Sequence, residues 1–253
     1  MSQVISVVTA VDPTRSEHLP ETWKALQVQK LPEGWEWEWL VQCDGRDADS
    51  QRTVMSSIPV EDPRISYGAS RKSGVAITRT MTLARARGSL VKTLDADDRL
   101  TAGALERDIS AHSDPEISWS AARVIDEHMD GTRSEHYPWN PPPGRIEIGQ
   151  ARDAYADNFR ILVHPATLCI RYRLLVALGG WMSLPASEDT ALLMALNGCR
   201  VGWFSDEPGM IYRRWPEQMS ASGDHADPEE LAIRRHLVRT RSEAVQDEFL
   251  TVS

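Results

Sequence analysis

The chain is short of basic residues and of cysteines, and it contains no long hydrophobic run. Its 253 residues include 28 Lys and Arg against 37 Asp and Glu, and the net charge of −9 opposes binding to long nucleic acids. The three cysteines are scattered without CxxC spacing, which argues against a disulfide framework or a zinc site. The apolar run at 4–11 is too short to cross a bilayer and lacks signal-peptide features. We therefore expect a soluble cytoplasmic protein with no nucleic-acid partner and no membrane span.

The first part of the chain alternates between strand-like and helix-like patterns. Continuous or alternating apolar runs predict strands, and a spaced apolar face between the first two predicts a helix. Strand, helix, strand order implies right-handed crossovers and a mostly parallel sheet, so the predicted fold class is α/β. The predicted strands are 4–11, 35–45 and 90–94, and the first helix is at about 20–30.

A further helix is predicted just before the strand at 90–94. Ile77, Met81 and Ala84 recur at helical spacing and predict its buried face. Gly88 stands where a left-handed C-cap is expected.

Acidic residues follow each predicted strand. Asp12 and Asp44 come after the first two strands, and "LDADD" at 94–98 ends the third. Ligands of open α/β sheets bind at the carboxyl ends of the strands, so these carboxylates should meet at one rim. Clustered carboxylates repel one another unless a cation neutralises them, and hard oxygen ligands suit Mg²⁺ or Mn²⁺ shared with phosphate oxygens. The alternative for a lone DxD is a solvated turn.

The second half of the chain is richer in loops. A helix at about 102–112 should bury Leu105 and Ile109. The prolines at 141–143, beside Tyr137 and Trp139, indicate a stiff loop that either forms a wall of the substrate site or only connects two elements. Two more helices are predicted. One is at 188–197, with Ser187 as N-cap and Gly198 at its end. The other begins at Asp227-Pro228. Its apolar residues recur every seven positions, at Leu231, Val238 and Val245, which indicates either a helix that packs on the same chain or a dimer interface.

Five of these segments, in this order, resemble the inverting family 2 glycosyltransferases of the GT-A fold. The resemblance spans about residues 4–222, and its most specific part is "LDADD" followed later by "SEDTALL". It implies one GT-A domain with a nucleotide-sugar (donor) half at 1–99, an acceptor-binding and catalytic half at 100–222, and a C-terminal helix at 223–253. The segments are "ISVVTAV", "WEWLVQCDG", "RKSGVAITRTMTLARARGSLVKTLDADD", "GGWMSLPASEDTALLMALNGCRV" and "YRRWPEQMS".

The resemblance also implies roles for donor-side residues. The donor would be a UDP-sugar, with Asp97 as the direct ligand of Mn²⁺ or Mg²⁺ and Asp95 near the ribose and the metal. Asp44 could instead only form a turn before glycine, and Arg71 and Arg79 could instead lie on a solvated helix face. The implied nucleotide contacts are Thr9, Ala10 and Val11 beside the nucleoside, Asp44 on the uracil edge, Arg71 and Arg79 facing the nucleotide, and the segment Asp95, Ala96 and Asp97.

For catalysis, the resemblance implies Asp189 as the general base and Glu188 as an orienting neighbour. A helix N-terminus stabilises ionised carboxylates, so we expect the pair to be charged at neutral pH. The alternative is that Ser-Glu-Asp only caps a helix. In the late segment, Arg213, Arg214 and Gln218 would close over the phosphates and the acceptor. The acceptor pocket would be lined by His164, Trp139 and Trp215. The alternative for His164 is a structural role.

Two positions depart from the family pattern. Trp215 stands where some members have a histidine that joins the metal, which weakens the expectation of strict metal dependence, and Thr80 replaces a frequent asparagine. Two other functions compete: a catalytically weak or inactive nucleotide-sugar-binding relative, and a DxD phosphohydrolase, whose motif normally ends the first strand. The expected partners are the nucleotide-sugar and a small-molecule or peptide-linked acceptor, with an oligomer possible through the C-terminal helix.

Overall fold

One mixed sheet organises the chain, and the computed structural model describes residues 2–135, 137–215 and 227–250. Across the sheet the strand order is β3-β2-β1-β4-β9-β6-β10-β5, with β7 on β6 and β8 on β10. The strands are β1 (Gln3–Val11), β2 (Trp35–Asp44), β3 (Ile65–Ser70), β4 (Leu90–Thr93), β5 (Arg99–Leu100), β6 (Trp119–Glu127), β7 (Arg133–Ser134), β8 (Gly144–Ile146), β9 (Cys169–Arg171) and β10 (Gly202–Arg213).

The first half of the sheet is parallel and the second half is mixed. β1 pairs in parallel with β2 and β4, β2 with β3, and β6 with β10. The short strands β5, β7, β8 and β9 pair antiparallel with their neighbours. The predicted α/β fold, with a mostly parallel sheet and a smaller mixed half, is confirmed.

Helices cover both faces of the sheet, and a separate buried cluster lies under each face. Neighbouring strand residues point to opposite faces, so Val7 packs with α1 and α4, whereas Val8 packs with α3 and α7. Among the described residues, no helix is long and apolar enough to span a membrane. The helices are α1 (Leu19–Gln27), α2 (Ala48–Met55), α3 (Val75–Thr82), α4 (Ala104–Ala111), α5 (Gln150–Asn158), α6 (Tyr172–Ala177), α7 (Glu188–Cys199) and α8 (Pro228–Leu250), with 3₁₀ turns at Pro13–His18, Leu83–Arg85 and Pro165–Thr167.

Helix α3 turns a different face inward from the one predicted. Ile77 and Met81 are 38% and 50% exposed, whereas Thr78 and Arg79 are buried. Its end also differs, because a 3₁₀ turn follows the helix and Gly88 is not left-handed. A Cβ at Gly88 would lie 2.6 Å from the backbone nitrogen of Ser6, so glycine is required there by the close approach of β1. The buried face and the C-cap were both wrongly predicted.

Two elements between β2 and α3 were not predicted. Helix α2 is polar and buries only Val54, and the edge strand β3 (ISYGAS) is partly exposed along its whole length. The strand that leads to the aspartates is therefore the fourth strand in the chain, not the third. Helix α4 buries Leu105 and Ile109 as predicted.

The C-terminal helix α8 packs on the body of its own chain. Val238 is fully buried, and Val245 is partly buried against the cluster that contains α7. The Oγ of Ser242 donates to the carbonyl oxygen of Met194 on α7 at 2.8 Å. These contacts favour the packing interpretation of the seven-residue repeat, while the oligomer stays a prediction.

Candidate active site

Three parallel strands deliver acidic residues to one edge of the sheet. The register pairs Val11 at the end of β1 with Cys43 on β2, and Val8 with Thr93 at the end of β4. Asp12 follows β1, Asp44 ends β2, and Asp95 lies two residues after the end of β4. They therefore share one rim, as the sequence predicted.

The carboxylate of Asp44 fixes the loop between β3 and α3. It accepts hydrogen bonds from the backbone nitrogens of Ser73 and Gly74, at 2.7 and 3.0 Å, and from the Oγ1 of Thr78 at 2.9 Å. This is a long-range contact to the start of α3 and not only a turn before glycine. The same loop carries Arg71, whose side chain is exposed at the rim.

At the end of β1, the side chains of Thr9 and Val11 are buried. The Oγ1 of Thr9 accepts a hydrogen bond from the Nε1 of Trp39 at 2.9 Å, so this hydroxyl serves the core. Ala10 is the partly exposed residue of the three. Thr9 and Val11 can therefore border a ligand through their backbone only.

A buried arginine joins the two acidic motifs. Arg79 on α3 has a side chain that is only 3% exposed, and its Nη2 contacts Asp95. Its Nη1 lies 2.7 Å from the Oδ1 of Asp189 and 3.4 Å from the Oε1 of Glu188. The sequence predicted these residues singly, but it gave no sign that one guanidinium contacts all three carboxylates.

At the start of α7, the acidic side chains pair with Arg79, and Ser187 does not cap the helix. Ser187 has a left-handed backbone, with φ of 69°, and makes no side-chain cap; its Oγ instead accepts from the Nη1 of Arg234 at 3.3 Å. Gly198 lies inside the helix, which ends at Cys199. The predicted Ser187 cap and Gly198 terminus are both wrong, and the capping interpretation of Ser-Glu-Asp loses its support.

The two carboxyl groups at the start of α7 compete for one cation. Burial, with the charge of Asp189 beside it, raises the pKa of Glu188 to about 7. Burial also raises the pKa of Asp189, and the contacts with Arg79 act in the opposite direction. Because Asp189 lies nearer the guanidinium, we assign the first negative charge of the pair to Asp189, and a pKa of about 7 leaves Glu188 partly protonated at neutral pH. The expectation that both are fully ionised at neutral pH is wrong for Glu188.

The remaining aspartates of "LDADD" have different environments. Burial, and then the charge of Asp95, raise the pKa of Asp97, and no side chain among the described residues hydrogen-bonds its carboxylate. Asp98 is buried, and its Oδ1 accepts from the backbone nitrogen of Arg213 at 3.0 Å. Ala96, between Asp95 and Asp97 in the chain, is buried, and its carbonyl oxygen accepts a hydrogen bond from the Oγ1 of Thr22. The sequence did not single out Asp98 as the anchor of β10.

A divalent cation fits this rim if a ligand supplies further oxygens. No group of three candidate ligands (His, Cys, Asp or Glu) comes together in the part of the chain that the structure describes. Asp97 offers a hard carboxylate oxygen that no cationic side chain of the described residues pairs with, whereas Asp95 is already paired with Arg79. An ion held by Asp97, with Asp95 behind it, would need phosphate oxygens or water to complete its shell.

The end of β10 lies against the turn that follows β1. The Nη1 of Arg213 lies 2.8 Å from the Nδ1 of His18, and the rings of His18 and Trp215 are 4.4 Å apart. The guanidinium of Arg214 pairs with Asp126 at 3.0 Å. Sequence reasoning missed His18, which no spacing rule marks. Gln218 lies outside the described residues.

An aromatic cluster lies beside this rim. The ring of His164 is 5.5 Å from that of Tyr137 and 4.7 Å from that of Tyr212. Burial, and then the charge of Arg214, lower the pKa of His164 to about 4, so this side chain is neutral at pH 7. Trp139 stands at the outer side, 44% exposed, with its ring 5.9 Å from Tyr137. The cluster contains two of the three predicted acceptor residues, whereas Trp215 lies beside His18.

Comparison with solved structures identifies the fold. Crystal structures of S. aureus TarS 1-349, alone and in complex with UDP-GlcNAc, match 99% of this chain at 15% and 17% identity, each with a TM-score of 0.68, over 71% and 72% of the TarS chains. The complex with UDP matches at 16% identity with a TM-score of 0.66, over 71% of that chain. No protein-family model matches the chain, and no curated protein matches it by sequence. At such identity the likeness shows that this chain shares the fold of TarS.

Proposed function

We propose that the chain is an inverting glycosyltransferase of the family 2 type that transfers a sugar from a UDP-sugar to an acceptor hydroxyl. The observation that carries this proposal is the contact of one buried guanidinium with both Asp95 of the DxD motif and Asp189 of the "SED" motif. Such a contact puts a candidate donor site and a candidate base at one place. A shared fold with a protein solved with UDP-GlcNAc and with UDP supports the donor class.

The donor half, residues 1–99, is proposed to hold the nucleotide at the rim. Ala10 and the backbone of its neighbours would border the nucleoside, and Asp44 would act there by fixing the loop that carries Arg71. Asp97, with Asp95, would hold Mn²⁺ or Mg²⁺. Such an ion supplies positive charge to the diphosphate, which the net charge of −9 otherwise repels.

The acceptor half, residues 100–222, is proposed to supply the base. Asp189 takes the proton of the acceptor hydroxyl while its oxygen attacks the anomeric carbon from the face opposite the diphosphate. The bond from sugar to diphosphate breaks, and its electron pair leaves with the diphosphate. Arg213 and Arg214, with Gln218, would then stabilise the growing charge.

The aromatic cluster is proposed to bind the acceptor. Trp139 offers an exposed indole face, and the neutral His164 contacts the same Tyr137 ring as Trp139 does. Flat apolar surfaces with a few polar groups suit a sugar or a peptide-linked hydroxyl. Trp215 would contribute from the opposite side, next to His18.

A thermal-shift panel of UDP-, GDP- and dTDP-sugars, with and without Mn²⁺, tests the donor assignment. We expect UDP-sugars with the ion to raise the melting temperature most, because binding to the native state alone stabilises it. Product analysis should then find the anomeric configuration inverted. Stabilisation by none of the donors would overturn the proposal, and tight UDP binding without turnover would favour an inactive relative.

A further inference from the structure

In the part of the chain that the structure describes, the carboxylate of Asp189 is hydrogen-bonded through one of its two oxygens. Its Oδ1 accepts a hydrogen bond from the Nη1 of Arg79 at 2.7 Å and another from the Nε1 of Trp181 at 2.8 Å. Among the described residues, no donor reaches its Oδ2. The side chain of Asp189 is 19% exposed, so it is not sealed from solvent.

Trp181 is itself fixed by the helix that carries Arg79. Its indole is buried, and its backbone nitrogen donates to the Oγ1 of Thr80 at 3.1 Å. Gly180 has φ of 73°, and a Cβ there would lie 2.8 Å from the same Oγ1, so the chain passes closely over Thr80. Neighbouring residues of α3 therefore hold Oδ1 in two ways, Arg79 directly and Thr80 through Trp181.

The asymmetry has a chemical consequence. Two donors on Oδ1 stabilise the ionised carboxylate and fix the plane of the carboxyl group. The lone pairs of Oδ2 stay available to an incoming hydroxyl. A general base must lie within hydrogen-bond reach of the proton it removes, so a fixed plane with one open oxygen defines where that hydroxyl has to stand.

Resting on the proposed function, we infer that Arg79 and Trp181 are positioning residues that hold Oδ1 of Asp189, so that Oδ2 takes the proton of the acceptor hydroxyl. The proton moves from the hydroxyl to Oδ2, and the oxygen forms its bond to the anomeric carbon. The sugar–diphosphate bond breaks, and its electrons stay with the diphosphate. Arg79 and Trp181 neither gain nor lose a proton.

Several charged groups face this carboxylate and set its acidity. Arg79 reaches it from α3, Glu188 precedes it on α7, and the charge of Asp95 acts from the end of β4. Of the described residues, Trp181 is the neutral donor to this carboxylate. Removing the indole N–H therefore changes the hydrogen bonding of Asp189 without changing the charge of the cluster.

The variant that isolates this contact is Trp181→Phe, which keeps an aromatic ring and removes one hydrogen bond to Oδ1. We expect kcat to fall about tenfold with KM for the donor unchanged. A lost donor raises the pKa of a carboxylate, so the acid limb of the kcat–pH profile should move to higher pH. UDP affinity should stay as in the wild type, because the phenyl ring still lies beside the guanidinium of Arg79 and the variant loses the indole hydrogen bond to the base.

Two further variants complete the test. Trp203→Phe makes the same change at a partly exposed indole on β10, and it should leave kcat and the pH profile unchanged. Arg79→Lys keeps the charge but cannot bridge Asp95 and Asp189 with one ammonium, so its kcat should fall further than that of Trp181→Phe. In a ¹⁵N-tryptophan spectrum, the Trp181 indole resonance should shift in Asp189→Asn, whether or not sugar is transferred.

The outcomes separate the inference from the proposed function. A wild-type chain that transfers no sugar from any donor overturns the proposed function, and with it the assignment of Oδ2. An active wild type in which Trp181→Phe retains both kcat and the acid limb overturns the positioning inference alone. An indole resonance that does not respond to Asp189→Asn contradicts the hydrogen bond itself. If Trp181→Phe changes KM and leaves kcat unchanged, the positioning inference is also overturned, because Trp181 would then contribute to substrate binding and not to the orientation of the base.

Discussion

Two arginines in this molecule each contact three carboxylates, and they differ in burial. Arg145, on β8, has a side chain that is 36% exposed, whereas that of Arg79 is 3% exposed. Water screens the charges around Arg145, but the carboxylates around Arg79 depend on its guanidinium for compensation. The partners of Arg145 are Asp114, Glu116 and Glu147, at 3.3, 3.0 and 3.4 Å, and those of Arg79 are Asp95, Glu188 and Asp189.

This comparison teaches that the number of ion pairs does not measure their importance. The exposed cluster joins surface segments and carries no proposed chemistry. The buried cluster holds acidic groups that would repel one another, and it places them where a donor and an acceptor would meet.

The largest effect is expected for Asp189→Asn. An amide keeps the shape of the side chain but cannot take a proton, so kcat should fall by about 100-fold or more. Steady-state transfer assays measure this, with Asp114→Asn from the exposed cluster as the matched control. Retention of more than about a tenth of the wild-type kcat would show that Asp189 is not the base.

Removing each arginine should separate the two clusters in stability. Arg79→Met leaves one buried carboxyl group, Glu188, and two partly buried ones, Asp95 and Asp189, without this cation, so the free energy of unfolding should fall by about 3–5 kcal/mol. Arg145→Met should lower it by less than about 1 kcal/mol. Urea denaturation of both variants at neutral pH gives the two values. Equal losses would contradict the assigned difference in burial.

The titration of Glu188 should make stability depend on pH. Its folded pKa, about 7, lies above the ordinary glutamate value of 4.5, so its contribution to stability is fully present below pH 4.5 and is lost as the pH rises through 7. Glu188→Gln removes this loss. Relative to that of the wild type, the free energy of unfolding of the variant should increase by on the order of 1–3 kcal/mol between pH 5 and pH 8. The same gain in Glu147→Gln, beside Arg145, would show that burial of Glu188 is not the cause.

The smallest effect is expected on the exposed face of α3. Met81 is half exposed, so Met81→Gln should change the free energy of unfolding by no more than about 0.5 kcal/mol. Denaturant unfolding checks this. A loss of about 2 kcal/mol or more would restore the predicted inward face and place Arg79 at the surface.

The sequence could predict the elements whose patterns depend on burial alone. The runs at β1, β2 and β4 are buried over most of their length, and so they show as apolar strands. Helix α2 and edge strand β3 bury little, and they gave no comparable pattern. The order of motifs then led to the fold and to the candidate residues by resemblance.

The contacts between the side chains of the site could not be predicted, for a physical reason. On α3, Ile77 and Met81 suggested an inward face that would have put Arg79 outward. Arg79 is buried because carboxylates from the end of β4 and the start of α7 compensate its charge. Those partners come together only in the folded chain, so local periodicity carries no trace of them. The same holds for His18 against Arg213.

Calorimetric titration of UDP in the presence of Mn²⁺ tests the central claim most directly. The wild-type chain should bind, Asp97→Asn should bind at least about tenfold more weakly, and Asp189→Asn should bind as the wild type does, because the base does not hold the nucleotide. Wild-type affinity in Asp97→Asn, or no UDP binding by the wild-type chain, would contradict a donor site at the aspartate rim.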